Sequence, residues 1–168
     1  MIAKFVLEID IVKGNMKSIA RNRKALRDFE VIETFEAGIV LKGSEVKSIR
    51  AGRVSLRDSY AKVKNDEIWL YGMHISPYEK AGIFIPDPKR RRKLLLHKRE
   101  IRKLRHRTEE KGYTIIALEL YFKKGKAKVK IALAAGRREY QKKRYLLEKQ
   151  NERDKERELQ RYLKGKKE

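Results

Sequence analysis

Apolar residues in the first fifteen positions fall on every second place, at Phe5, Leu7, Ile9 and Ile11, the period of a half-buried strand. Glu8 and Asp10 break that run, so it is no signal-peptide core. Residues 29–41 also read as a strand, and Ala37-Gly38 within them predicts a bulge or a tight bend. The chain then breaks at Gly43-Ser44 and changes to helical spacing. Ser44 is placed to cap, Val46 and Ile49 share one face, and Gly52 supplies a left-handed stop. Lys47 and Arg50 are left facing outward.

Two further strands are predicted at residues 54–64 and 67–75, joined through Asn65-Asp66 as a hairpin turn. Ile68, Trp69 and Leu70 are their core candidates. Residues 76–88, punctuated by Pro77, Gly82, Pro86 and Pro88, read as loop. Residues 90–111 read as a helix with Leu94, Ile101 and Leu104 on one stripe, His97 and Lys98 beside it, and Gly112 as its end. Residues 113–122 and 127–135 make a hairpin around Lys123-Lys124-Gly125-Lys126. In its second strand Ala127, Val129, Ile131 and Leu133 alternate with Lys128 and Lys130, giving one buried and one wet basic face. Strands in series with helices between them predict a mainly β fold, a closed antiparallel barrel with flanking helices.

The tail, residues 137–168, breaks this pattern. Leu146 and Leu147 are separated from Leu159, Tyr162 and Leu163 by a wholly polar run, so no stripe exists to pack. In a helix its like-charged four-apart pairs, such as Lys149 with Arg153, offset its attractive three-apart pairs, such as Glu152 with Lys155, at about 0.2–0.5 kcal/mol each. A helix there is marginal in water, and the expectation is a tail disordered alone and ordered on RNA.

Charge changes the picture from fold to partner. The 45 Lys and Arg against 23 Asp and Glu leave a formal +22, of which +6 lies in the tail. Such a balance suits a polyanion. No apolar run approaches the roughly 20 residues that span a bilayer, and the basic helix lacks a broad Trp/Phe/Leu face. Nucleic acid is therefore favoured over a membrane. Arg90, Arg91, Arg92 and Lys93 cluster where a helix N-terminus disfavours cations by about a few tenths of a kcal/mol, which also suggests a phosphate partner. The absence of cysteine excludes disulfides and thiolate metal sites and fits a reducing compartment. The chain length suits a single domain with a real core.

No catalytic constellation stands out. His74, His97 and His106 are scattered without metal-ligand spacing, and neither a G-x-S-x-G nor a P-loop pattern occurs. A ribonuclease built on His97 and a lysine would need a placed partner for its base, and none is indicated.

The string EAGIVLKGSEVKSIR, residues 36–50, resembles the signature of the SsrA-binding protein (small protein B, SmpB) family, the bacterial partner of transfer-messenger RNA. KSIARNRKA, SLRDSY, ISPY, DPKRRRKLLLHKREI and GYTIIALELYFKKGKAKVKIALAAG follow that family's pattern in order. The resemblance implies an oligonucleotide-binding-type barrel at residues 16–136, a basic tail at 137–168 that becomes helical on the ribosome, and an extension at 1–15 upstream of the usual start. An extra edge strand is the alternative for residues 1–15. It implies a cytoplasmic, monomeric RNA-binding adaptor of trans-translation, with no enzymatic activity, cofactor or metal. The adaptor binds the transfer-RNA-like domain of transfer-messenger RNA and, with GTP-bound elongation factor Tu joined through the RNA, delivers it to stalled ribosomes. The tail there probes the small-subunit decoding centre and the empty mRNA channel.

Carried over by position, the implied RNA-binding residues are Asn22, Arg23, Lys24, Glu36, Lys42, Lys47, Arg50, Tyr60, Lys93, Leu95 and His97. For Glu36 a structural acceptor holding Lys47 or Arg50 is the equal alternative. The implied ribosome-binding tail residues are Arg137, Arg138, Tyr140, Lys142, Lys143 and Arg144. The chain departs from the family pattern at Arg27-Asp28-Phe29, Ile85-Pro86, Gln141 and Lys143. The rival expectation is a general single-strand RNA-binding or ribosomal protein on the same barrel.

Overall fold

The computed structural model describes residues 17–78 and 85–165, and the segment expected at 1–15 lies outside them. In chain order the elements are β1 (Lys17–Arg21), α1 (Arg23–Asp28), β2 (Phe29–Ile39), α2 (Gly43–Arg50), β3 (Val54–Ser55), β4 (Tyr60–Lys64), β5 (Glu67–Tyr71) and β6 (His74–Ile75). They continue with β7 (Arg92–Leu95), α3 (Lys98–Lys111), β8 (Thr114–Lys123), β9 (Lys126–Gly136) and α4 (Glu139–Gly165).

Six strands bond in the order β8–β4–β5–β7–β2–β9, and β9 pairs back onto β8, so the sheet closes on itself. Every pairing in the ring is antiparallel. This is the expected closed barrel, and closure leaves no free edges among its six strands. β1 adds onto β8 from outside, and β3 pairs only with β6. Both expected hairpin turns are present. Asn65 and Asp66 (φ 50° and 58°) and Lys124 and Gly125 (φ 50° and 74°) place both central residues at positive φ, as a two-residue turn that follows the strand twist requires.

Inward-facing residues fill the barrel: Phe35, Ala37, Ile68, Leu70, Leu94, Ile115, Leu120, Val129, Ile131 and Leu133. Ile49 of α2 and Ile101 and Leu104 of α3 join the same cluster. A second, smaller cluster of Ala25, Ile116, Leu118, Ala132 and Ala134 lies under α1, so part of the outer face of β8 and β9 is covered as well.

The structure corrects several boundaries. Helix α3 begins at Lys98, and residues 92–95 are a barrel strand; Leu94 is core as strand, not as helix. Three consecutive leucines hid the period of two, in which Arg92 and Leu94 point in and Lys93 and Leu95 point out. Arg90 to Lys93 therefore meet no helix N-terminus. Residues 54–64 and 67–75 are each two strands, the second pair parted at Gly72, whose φ of 75° and 2.8 Å distance from a would-be Cβ to the Asp58 carbonyl oxygen exclude any side chain. Trp69 is half-exposed, because it falls between Ile68 and Leu70 on the outer face. Lys42, not Ser44, caps α2: the Lys42 N–H donates to Glu45 Oε2 at 2.7 Å. Finally, the irregularity in β2 falls at Ile32, between Val31 and Glu33. Gly38 instead marks a close approach, with Leu95 Cβ 3.2 Å from where its own Cβ would be.

Candidate nucleic-acid interface

Alternation along the strands decides which implied residues reach solvent. Glu36 and Gly38 face outward on β2, and Leu95, in register with Gly38, covers that glycine and is 53% exposed. Lys93 shares its face and pairs with Glu67 of β5. His97 stands two residues beyond β7 as the N-cap position of α3. Its backbone N–H donates to Glu100 Oε2 at 3.0 Å, and its exposed imidazole makes no capping bond. Glu36, Lys93, Leu95 and His97 thus gather on one side of the barrel.

Glu36 is held, but by neither Lys47 nor Arg50. Its Oε2 accepts from Tyr121 Oη at 2.7 Å and from Lys123 Nζ at 2.9 Å. The Tyr121 hydrogen bond, seconded by Lys123, keeps the Glu36 carboxyl below the usual carboxylate range. Burial, with the Glu36 bond added, pushes the Tyr121 phenol far up, so it remains a donor. The Arg50 guanidinium lies 5.7 Å from the centroid of the Phe122 ring. Lys47 of α2 lies over the Tyr78 ring at 5.4 Å, and Lys42 is exposed at the start of that helix.

The remaining barrel positions lie apart from this group, around α1. Asn22 is 4% exposed and committed inside the protein. Its Oδ1 accepts from the Ala25 N–H at 3.1 Å, and its Nδ2 donates to the carbonyls of Leu56 at 2.8 Å and Ala117 at 3.0 Å. Both Nδ2 hydrogens and one lone pair of Oδ1 are thus spent inside the protein, where Asn22 caps the helix that carries Arg23 and Lys24. Arg23 is exposed. Lys24 pairs with Asp58 at 2.6 Å across a cleft of about 240 Å³ that Tyr60 also lines.

What holds the α2 side in place is a buried ion cluster. Arg92, 0% exposed, donates through Nε to Glu45 Oε1 at 3.0 Å and through its terminal nitrogens to the carbonyls of Met73, Arg90 and Pro88. Arg90 Nε reaches Glu45 Oε1 at 2.9 Å. Burial alone would raise the Glu45 carboxyl, but Arg90, the Lys42 amide and Arg92 together outweigh it and hold it below the ordinary glutamate value.

The tail leaves the barrel through Arg137, whose N–H donates to the Asp28 carbonyl at 2.9 Å and whose guanidinium lies 4.4 Å from the Tyr145 ring centroid. Gln141 Oε1 accepts from the Arg138 N–H at 2.9 Å, the back-reaching half of a capping box. Lys142, Tyr145 and Lys149 are half-buried, whereas the described residues from Gln150 on are exposed; Tyr140, Leu146, Leu147, Leu159, Tyr162 and Leu163 are the large open side chains of α4. Arg138, Tyr140, Lys143 and Arg144 are exposed and Lys142 half-buried near Asp28.

The family model described as SmpB protein matches residues 19–161. The chain belongs to the SmpB protein family. The SsrA-binding protein of Carboxydothermus hydrogenoformans is 53% identical over 149 residues, covering 89% of this chain and 97% of that one. That of Acetivibrio thermocellus is 53% identical over 154 residues, covering 92% and 97%. A solved chain described as "tmRNA-SmpB: a journey to the center of the bacterial ribosome" matches with a TM-score of 0.61 at 46% identity, covering 75% of this chain and 87% of that one.

Four residues that orient or support the outward groups of this SmpB-family barrel were not assigned that part from the sequence. Tyr121 and Lys123 orient Glu36 from two strands away, a relation that no linear spacing signals. Glu45 and Arg92 were legible in principle: Arg92-Lys93-Leu94-Leu95 has strand alternation, and an arginine on its inner face demands an acidic partner.

Proposed function

We propose that this SmpB-family chain is an RNA-binding adaptor of trans-translation, acting by binding and not by chemistry of its own. It takes the transfer-RNA-like domain of transfer-messenger RNA on the barrel, residues 16–136, and brings it with GTP-bound elongation factor Tu to stalled ribosomes in the cytoplasm. The observation that carries this reading is the family match, which runs through the whole barrel and most of the tail. The relatives are named for binding SsrA, and the solved chain's description sets it with transfer-messenger RNA and the ribosome.

The geometry supports a division of labour. Glu36, Lys93, Leu95 and His97 on one side, with Lys42, Lys47 and Arg50 on α2, offer one oriented carboxylate, an open apolar residue and cations. That is a mixture suited to splayed bases and phosphates together. Arg23, Lys24 and Tyr60 form a second contact. Arg137, Arg138, Tyr140, Lys142, Lys143 and Arg144 serve the ribosome, where the tail completes its order in the decoding centre and mRNA channel.

Binding to full-length transfer-messenger RNA and to a generic transfer RNA, each at two salt concentrations, tests this. Preference for transfer-messenger RNA should survive truncation after Gly136 and fall in a Glu36→Ala/His97→Ala variant. Equal binding of both RNAs with a steep salt slope would instead indicate a general RNA binder on the same barrel and overturn the adaptor reading.

A further inference from the structure

The outward side chains of β4, β5 and β7 form a strip between the two groups of family-matched positions. Tyr60 and Tyr71 are in register, and their rings stack with centroids 5.5 Å apart and 15° between planes. The next outward pair is Lys62 with Trp69, and the next Lys64 with Glu67. The Arg91 guanidinium lies 5.0 Å from the Trp69 ring centroid, and Lys62 Nζ lies 5.5 Å from that of Tyr60.

The charges on this strip are unbalanced. Glu67 is engaged by Lys93, whereas Lys62, Lys64 and Arg91 have no carboxylate partner among the described residues. Three rings and three unmatched cations therefore share one solvent-facing wall of a rigid barrel. At its Tyr60 end the wall opens into the cleft of about 240 Å³, which has Ala25, Phe29 and Ile116 as apolar lining. At its other end it meets Lys93, beside Leu95 and Glu36.

Rings that offer a face, with cations spaced between them, suit unpaired nucleotides, whose bases stack while their phosphates meet Lys and Arg. An arginine already over a tryptophan offers its outer plane to a further base. Paired RNA keeps its bases stacked inside and would meet only the cations. We propose that Tyr60, Lys62, Trp69, Tyr71 and Arg91 form a stacking track for an unpaired RNA segment, joining the two RNA-contacting groups into one surface. This inference rests on the RNA-binding reading above and adds residues and a ligand form to it.

Trp69 is the only tryptophan of the chain, so its fluorescence reports on this strip alone. The full chain is titrated with an unstructured single-stranded RNA of about 12 nucleotides, within the ~4–16 nucleotide sites of comparable barrels, and with a duplex of the same sequence. The single strand should quench Trp69 saturably, over the concentrations at which a labelled strand shows binding by anisotropy, and the duplex should leave emission unchanged. Lys62→Ala/Arg91→Ala should weaken single-strand binding about five- to fifty-fold while the thermal midpoint stays close to that of the parent. Trp69→Phe, which keeps a ring, should bind better than Trp69→Leu. No single-strand binding, binding with silent Trp69 emission, or an unaffected double variant would each overturn the track. Preference for transfer-messenger RNA over transfer RNA is measured on the same samples. If it persists while the track fails, the adaptor reading stands alone; if it is lost in the parent chain, that reading has failed.

Discussion

Tyr121 of β8 reaches across β9 to donate its phenolic proton to Glu36 of β2 at 2.7 Å. A carboxylate on a basic barrel is thereby held in one orientation, with Lys123 closing its other side. Tyr121→Phe removes the donor but leaves Glu36 open to water, so its cost in stability should stay near 1 kcal/mol. Binding of transfer-messenger RNA should nevertheless weaken about three- to tenfold, up to about 1.4 kcal/mol. In the Glu36→Gln background the same tyrosine change should have little further effect. Additive losses in this double-mutant cycle would refute the positioning role.

Asn22 tests the difference between a residue that touches RNA and one that builds the surface. Asn22→Ala removes the cap of α1 and the side-chain donor to the Leu56 and Ala117 carbonyls, of which Leu56 keeps its bonds from Ser59. The expected loss is about 1–3 kcal/mol in denaturant unfolding, combining a cap of about 1 kcal/mol with the loss of two buried hydrogen bonds. Well below its melting temperature the variant should bind RNA within about threefold of the parent, because the amide removed is committed inside the protein. A larger binding loss in a stable, folded variant would make Asn22 a direct contact.

The Glu45–Arg92 pair ties stability to acid. The folded-state pKa of Glu45 lies below its ordinary value of 4.5, so the unfolded chain takes up the proton first. The contribution is complete above that ordinary value and is lost as pH falls through the lower, folded one. Denaturant stability should therefore drop below about pH 4.5 with a component that Glu45→Gln lacks. That variant should also lose about 3–5 kcal/mol at neutral pH, since Arg92 is left buried with its counter-charge gone. Parallel acid limbs in parent and variant would contradict this.

In the tail, Gln141 does the capping work of an acidic residue at the third helical position. Gln141→Ala should lower the helix content that circular dichroism assigns to residues beyond Gly136, and Gln141→Asp should restore it. Because the described residues of α4 from Gln150 on are all solvent-exposed, the free protein should show fast amide exchange past about residue 150, slowing on the ribosome. Slow exchange there in the free protein would show a tail that is ordered before it binds.

Much of this molecule was readable from local pattern. The β8–β9 hairpin, its Lys124-Gly125 turn and the Asn65-Asp66 turn follow from alternation and from the few residues that tolerate positive φ, both properties of neighbouring positions. The partner class followed from +22 of charge, and the family from motifs in order. The closed barrel was expected as a class, but the order in which its strands become neighbours, the burial of Arg92, the commitment of Asn22 and the hold of Tyr121 on Glu36 could not be read that way. Each joins residues separated by tens of positions, and each depends on which strands become neighbours when the sheet closes. Periodicity assigns a side chain to a face. Only the packed barrel decides what it meets there, because the free energy of a buried ion pair or a satisfied amide exists only once both partners have been brought out of water together.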